Sequence, residues 1–364
     1  MRKGHENMNR FTTPQPSRHN SPTTRAQKLA YLKFECQDLD RAERFLTDFG
    51  LSVALRTPEL LYMRTADSEP FCYVAKKSDK SAFTGFGLHV ASRSDLIKLS
   101  HLDEASALTW TTQPGGGEIV QLQDPSGFIV DAIYGQEPVP TLTHRPALSF
   151  NFEQKMERIN NTQRPPVSVP EVLKLGHVVM EVAKFQQSCG WYTRHFGFIP
   201  SDVQLLPDAT PAVVFLRLDL GDTPTDHHTL AIAQGFMPAY SHSAFELVDA
   251  DAVGMGQRIL RERGWRHAWG IGRHILGSQI FDYWQDSWGN KFEHYCDGDL
   301  FTADVEMGIH PVSREAMSQW GQPMPRSFTK PKLTPKAIRA LIHNVRYSPD
   351  LSVRKLISLA KIFT

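Results

Sequence analysis

No apolar run in this sequence approaches the roughly 20 residues that span a bilayer, and the N-terminus lacks the apolar stretch of a secretory signal. Cysteine is scarce: the 364 residues hold four, Cys36, Cys72, Cys189 and Cys296, widely scattered and with no CxxC pair. That usage fits a reducing compartment, hence the cytoplasm, better than a disulfide framework. An excess of either charge is also missing, with 40 Lys and Arg against 39 Asp and Glu. Nothing there points to a nucleic-acid partner, and no helix carries a basic face with interleaved aromatics before the extreme C-terminus. What is present is an ordinary globular composition, 41% hydrophobic, and enough chain for two domains.

Residues 1–27 are polar, with Pro14, Pro16 and Pro22, and read as a disordered leader. Their Arg-containing, acid-poor composition would also suit an organelle transit peptide. Beyond them the chain repeats itself. A strand over Tyr31–Cys36 and a helix from Asp40 to Phe49, closed by Gly50, are echoed by a strand over Leu175–Met180 and a helix from Phe185 to Phe196, closed by Gly197. Glycine suits the residue just past a helix because it accepts the left-handed conformation. A second echo links Phe86–Val90 and a helix near Ser94–Leu102 with Ala244–Val248 and a helix near Asp251–Arg263. Each half then closes on a hairpin with an Asp-x-x-Gly turn, and the second strands finish on Asp131 and Glu293.

The pattern is α+β: four units of one strand, one helix and three strands, paired into two domains over 28–137 and 171–303. A proline-rich linker, 138–170, joins them, because proline at that density disfavours helix interiors and central strands alike. Residues 304–364 form an extension with two helices. One starts at Thr334-Pro335 with a stripe of Ile338, Leu341, Ile342 and Val345. The other starts at Ser348-Pro349 with Val353, Leu356, Ile357 and Ala360. Its bland reading is a docked or partner-contacting helical pair; its basic character would also suit an anionic membrane surface.

The sharpest signal is a spacing. His177 to His228 is 51 residues, and His242 to Glu293 is again 51. Repeated units thus put four metal-capable side chains at corresponding positions. Two imidazoles and a carboxylate make the facial triad that suits non-haem Fe(II) with open positions, and Mn(II) also fits the donors. Any one of these histidines alone reads more simply as a satisfied core histidine; their common register argues otherwise. In the first half Lys33 stands near the place of His177 and Gly85 at that of His242, with only Asp131 keeping an acid. That half is structural or shapes access. The second turn centres on Trp288, which makes Tyr283 and Glu293 cross-strand neighbours, although Tyr283 could equally be a packing aromatic. His274 precedes the hairpin and can exchange a proton near neutrality; its bland reading is a surface loop. His195, His227, His267 and His294 are weaker candidates, and strand alternation points His227 and His294 away from the site.

From about residue 29 to 300 the chain resembles the two-domain type I extradiol dioxygenases of the vicinal oxygen chelate superfamily. The motifs are Leu-Gly-His177, His227-His228-Thr-Leu-Ala, Ser241-His242, Gly-Arg273-His274, Asp-Tyr283 and Phe-Glu293. The resemblance implies βαβββ modules, Fe(II) held by His177, His242 and Glu293, His228 passing a proton beside the metal, and Tyr283 with His274 assisting catechol deprotonation. It implies a small aromatic diol and O2 as reactants, and a homo-oligomer. Ile275-Leu276-Gly277 depart from the polar residues often found after the His274 position, so the wall of the ring site differs. Two further readings stay open: a glyoxalase-like isomerase or lyase, with His228 as a fourth ligand, and a module that only binds small ligands.

Overall fold

The computed structural model describes residues 16–329 and 334–363. The first 15 positions of the expected leader lie outside the described residues. Its remainder is not disordered: Arg18 and Arg25 both reach Asp219 at 2.8 Å, and Thr23 and Thr24 donate backbone hydrogen bonds to Arg194 and His195. Ion pairs and backbone bonds to the second half hold what composition alone reads as unstructured.

Two repeats build the first half. β1 (Ala26–Cys36), α1 (Leu39–Phe49), β2 (Ser52–Arg56), β3 (Leu60–Arg64) and β4 (Tyr73–Lys77) make one. β5 (Ala82–Val90), α2 (Arg93–Ser100), β6 (Thr109–Trp110), β7 (Glu118–Gln123) and β8 (Ile129–Tyr134) make the other. The second half repeats the plan with β9 (Lys174–Val182), α3 (Phe185–Phe196), β10 (Ile199–Leu205), β11 (Pro211–Arg217), a short β12 (Thr225–Asp226) and β13 (Leu230–Gln234). It continues with β14 (Ala239–Glu246), α4 (Ala250–Glu262), β15 (Arg266–Arg273), β16 (Ile280–Gln285) and β17 (Lys291–Cys296). Then come β18 (Leu300–Phe301), β19 (Gly308–Pro311), β20 (Trp320–Gly321), α5 (Arg326–Thr329), α6 (Pro335–Tyr347) and α7 (Val353–Phe363). The fold is thus α+β, built of four βαβββ units with a C-terminal helical tail. The tail also adds β19 and β20 to the edges of the second sheet, which apolar periodicity in helices could not reveal.

The first sheet runs β2-β3-β4-β1-β5-β8-β7-β6, and the second runs β19-β10-β11-β13-β9-β14-β17-β16-β15-β20. The central quartets β4-β1-β5-β8 and β13-β9-β14-β17 correspond. In each, the opening strands of two units pair antiparallel and the closing strands flank them in parallel. This arrangement places two opening and two closing strands around one sheet centre.

Local chemistry fixes the helices. Asp38 caps α1 by accepting from the Arg41 N–H at 2.9 Å, and Gly50 ends it at φ 112°. Asp249 caps α4 at Ala252 and also receives Arg145 Nη1 at 2.7 Å, which ties segment 138–170 to the second half. The α1 face buries Phe45 and Phe49 against Trp265, Phe245 and Phe292. Each such phenylalanine contributes roughly 1.5–3 kcal/mol by burial. The Trp265 indole donates to Asp48 at 2.7 Å across the same contact.

Candidate metal centre

β9 and β14 lie side by side with His177 opposite Ala244, and β17 flanks β14 with Glu293 opposite the same Ala244. His242 sits one alternation along β14. Three strands therefore project two imidazoles and one carboxylate to one point, and one ligand atom from each lies within 4.8 Å of the others. His177 Nε2 stands 3.3 Å from Glu293 Oε2, and His242 Nε2 stands 3.4 Å from the same oxygen.

Glu293 is fully buried, and neither carboxylate oxygen has a hydrogen-bond partner. Burying an ionised carboxylate without compensation costs several kcal/mol or more, so this donor set suits a bound counter-charge. Burial opposes ionisation of Glu293, but the imidazoles of His177, His274 and His242 outweigh it and hold the carboxyl well below the usual range. Burial, the dominant cause, and the proximity of His177 draw His242 down to about 3 against the pull of Glu293. A neutral imidazole beside an ionised carboxylate is the state a divalent cation requires. The residues present fit such an ion.

The first half supplies an internal control. Asp131 faces Gly87 on β5, which faces Tyr31 on β1. Tyr31, rather than Lys33, therefore holds the register position of His177, because counting from strand starts ignores the irregularities of the β1–β5 pair. Lys33 still reaches the site: its Nζ lies 2.7 Å from Asp131, with the Tyr31 hydroxyl at 2.8 Å and Gln121 Nε2 at 2.9 Å. That carboxylate is fully satisfied and has no use for a metal.

Tyr283 pairs with Glu293 across β16–β17, as the turn spacing predicts. Its hydroxyl lies 2.9 Å from His274 Nε2, while His274 Nδ1 lies 2.8 Å from the Met317 carbonyl. A carbonyl only accepts, so Nδ1 carries hydrogen; in the neutral ring Nε2 then receives the Tyr283 O–H. Burial first, then Glu293, pushes the Tyr283 pKa well up. His228 precedes β13 rather than lying within it, and its ring centroid is 4.0 Å from that of His177. Burial and the neighbouring imidazoles draw its pKa well down.

His227 does not point away. Its Nδ1 lies 3.0 Å from His228 Nδ1, and its Nε2 lies 2.6 Å from Asp202, which also receives His310 Nε2 at 2.8 Å. Strand alternation fails here because the His-His pair stands outside the strand. The doublet was visible; its partners Asp202 and His310 carried no local signal. His294 does turn away, to the Phe49 carbonyl at 2.7 Å. His267 pairs with Asp282 at 2.7 Å, and His195 with Thr23 at 3.2 Å.

A cavity of about 640 Å3 opens on His177, His228, His242, His274 and Tyr283. Glu181, Gln204, Gln234, Gln279 and the charged Arg326 add polar points to a wall that is otherwise largely apolar.

Residues 174–294 match the family described as the Glyoxalase/Bleomycin resistance protein/Dioxygenase superfamily. The chain is 28% identical over 318 residues to Metapyrocatechase 2 of Cupriavidus necator, covering 85% of this chain and 93% of that protein. Among solved structures it resembles the Mn(II)-bound glyoxalase from Novosphingobium aromaticivorans, with a TM-score of 0.71 and 21% identity over 86% of this chain and 97% of that one. It is equally similar to an extradiol ring-cleaving dioxygenase from B. fuscum, with a TM-score of 0.70 and 17% identity over 89% and 87% of the two chains. Backbone likeness therefore establishes the architecture and leaves the chemistry to the side chains. The matched segment, 174–294, thus resembles the Glyoxalase/Bleomycin resistance protein/Dioxygenase superfamily, and the four-unit fold is that of these solved structures.

Proposed function

We propose that this protein is an extradiol ring-cleaving dioxygenase that opens a substituted catechol with O2 at a non-haem Fe(II) held by His177, His242 and Glu293. The observation that carries the reading is the buried, unpartnered Glu293 carboxylate between two imidazoles, with three further proton-handling side chains around the same cavity. Two imidazoles and one carboxylate suit Fe(II) with open positions, and Mn(II) is the second choice for the same donors. When bound, the metal lowers the pKa of the diol and lets ring and O2 react side by side.

The protein groups do the rest. Tyr283 donates to His274 Nε2, so its phenol oxygen is left to accept from a diol hydroxyl, and a proton can pass from the diol through Tyr283 to His274. Tyr283 orients that ring from the strand that pairs with Glu293. His228 flanks His177 and is held neutral by burial, ready to accept a proton and return it as the ring opens. Both oxygen atoms enter the product, and no external reductant is consumed.

His228 does not belong to the group of converging ligand atoms found among the described residues, which supports three ligands rather than the four of an isomerase. The described residues contain no helix long and apolar enough to cross a membrane. Cytoplasmic location is part of the proposal, supported by four free, buried cysteines. So is a homo-oligomer, supported by Ile338 and Ile342 exposed on α6. The test is anaerobic loading with Fe(II), then catechols and oxygen. Oxygen uptake with a yellow ring-fission product is expected. Turnover of a thiohemiacetal without oxygen uptake would overturn the reading.

A further inference from the structure

The cavity is much larger than a ring needs. An apolar cavity of roughly 150 Å3 accepts benzene, and this one measures about 640 Å3. The strand register shows where the extra space lies. His177, Val179 and Glu181 alternate along one face of β9 and all line the cavity. At ~3.3 Å per residue, that face runs about 13 Å from the metal ligands to Glu181. Ala231 and Ala233 stand opposite Val179 and Glu181, and Phe215 and Val213 follow in the next strand. Two alanines in the middle of this floor leave a trough rather than a packed layer.

The trough is covered by α7, whose Leu356, Leu359 and Ala360 line the same cavity. α7 is fixed there. Lys355 Nζ donates to Gln234 Oε1 at 2.9 Å in a buried bond, and Gln234 in turn donates to the Gly235 carbonyl at 2.9 Å. Just before the helix, the Ser348 hydroxyl donates to the Ala183 carbonyl at 2.7 Å, and Asp350 accepts from the Gln186 N–H at 3.0 Å. A buried lysine is costly unless paired, so this lock selects one placement of α7 over the end of β9.

We propose that the catechol carries an extended, uncharged apolar substituent, alkyl or aryl, that lies along the β9–β13–β11 trough and ends under α7. This deepens the ring-cleavage reading and rests on it. α7 then acts as a specificity element: it lets a substituent of matching length bury apolar surface without touching the reacting atoms. Glu181, at the end of the β9 face, argues against a tail whose carboxylate reaches that end, since that would bring a second carboxyl group to the one already there, while Arg326 is the cation in the same cavity wall. Burial raises the Glu181 pKa against the opposing pull of Lys291, which is consistent with a weakly polar end wall.

Binding to the full-length, metal-free protein tests this apart from catalysis. Calorimetry with catechol, then its 4-ethyl, 4-butyl and 4-hexyl derivatives, is expected to show Kd falling by up to ~four-fold per added methylene. A chain of similar length ending in a carboxylate is expected to lose at least ten-fold against hexyl. Leu359→Trp, and separately Leu356→Trp, fill the trough and are expected to abolish the dependence on length. On the Fe(II)-loaded enzyme, the kcat/KM ratio of hexyl to unsubstituted catechol should fall at least ten-fold in either variant. A Kd that does not change with chain length, or a dependence that survives both tryptophans, overturns the proposal. Length-dependent binding with no oxygen uptake for any catechol would instead overturn the ring-cleavage reading beneath it.

Discussion

Asp131 and Glu293 occupy the same register position in the two sheets, one opposite Gly87 and the other opposite Ala244, and both are fully buried. Asp131 accepts from Lys33, Tyr31 and Gln121. Glu293 has two imidazoles at 3.3 and 3.4 Å and no hydrogen bond at either oxygen. The duplicated fold thus carries one carboxylate satisfied by hydrogen bonds and one with no hydrogen-bond partner.

The two acids should respond differently to the same change. Glu293→Gln is expected to lower metal content at least ten-fold in the purified protein, measured by elemental analysis after Fe(II) loading. Asp131→Asn should leave metal content unaltered and destabilise the fold by about 1–3 kcal/mol, because Lys33 loses a charged partner. In the wild type, a chelator should lower Tm, since a ligand bound only to the folded state stabilises it. Equal metal loss in the two variants would remove the distinction.

His228→Ala is expected to keep its metal and lose about 10²–10⁴-fold in kcat, the range for a positioned acid–base group. Metal loss in that variant would argue for a four-ligand site. Tyr283→Phe should also retain metal and drop kcat/KM by about 10²-fold, because His274 loses its only donor from the hairpin while keeping its bond to Met317.

Asp202 and His227 are placed to position His228. With His227 Nε2–H donating to Asp202, a neutral His227 presents a bare Nδ1, so His228 donates through Nδ1 and keeps Nε2 free. Asp202→Asn loosens that tautomer choice and should lower kcat by about 10- to 100-fold, the cost typical of lost outer partners, with KM and metal content little altered. A change in metal content equal to the change in kcat would show a merely structural role.

Asp202 also sets an acid limit. Burial opposes its ionisation, but the hydrogen bonds from His227 and His310 win and draw it from 3.8 to about 2. A depressed carboxylate stabilises the fold above its unfolded pKa, and this contribution is lost as pH falls through the folded one. Stability should therefore decline between about pH 4 and pH 2, and Asp202→Asn should flatten that part of the acid unfolding curve.

Gly176→Ala tests the glycine of the Leu-Gly-His177 motif. An added Cβ would lie 2.3 Å from the Tyr295 hydroxyl and 2.5 Å from Cε1. The ring must move, and it packs 5.8 Å from His177. A loss of about 1–3 kcal/mol by denaturant titration is expected, together with weaker metal binding.

What the sequence determined alone was the duplication and, through it, the triad. A spacing of 51 residues that recurs from His177 to His228 and from His242 to Glu293 survives folding, because equivalent units place equivalent strands around one centre. The Tyr283–Glu293 pair followed from a turn whose length sets register. Tertiary structure decided what no local pattern encodes. His227 found Asp202 and His310 from three separate segments, and Tyr31 displaced Lys33 in register through bulges in one strand pair. The roof over the cavity came from a helix more than a hundred residues after β13. Periodicity reports which face of an element is apolar; which other element covers that face is settled only when the whole chain packs.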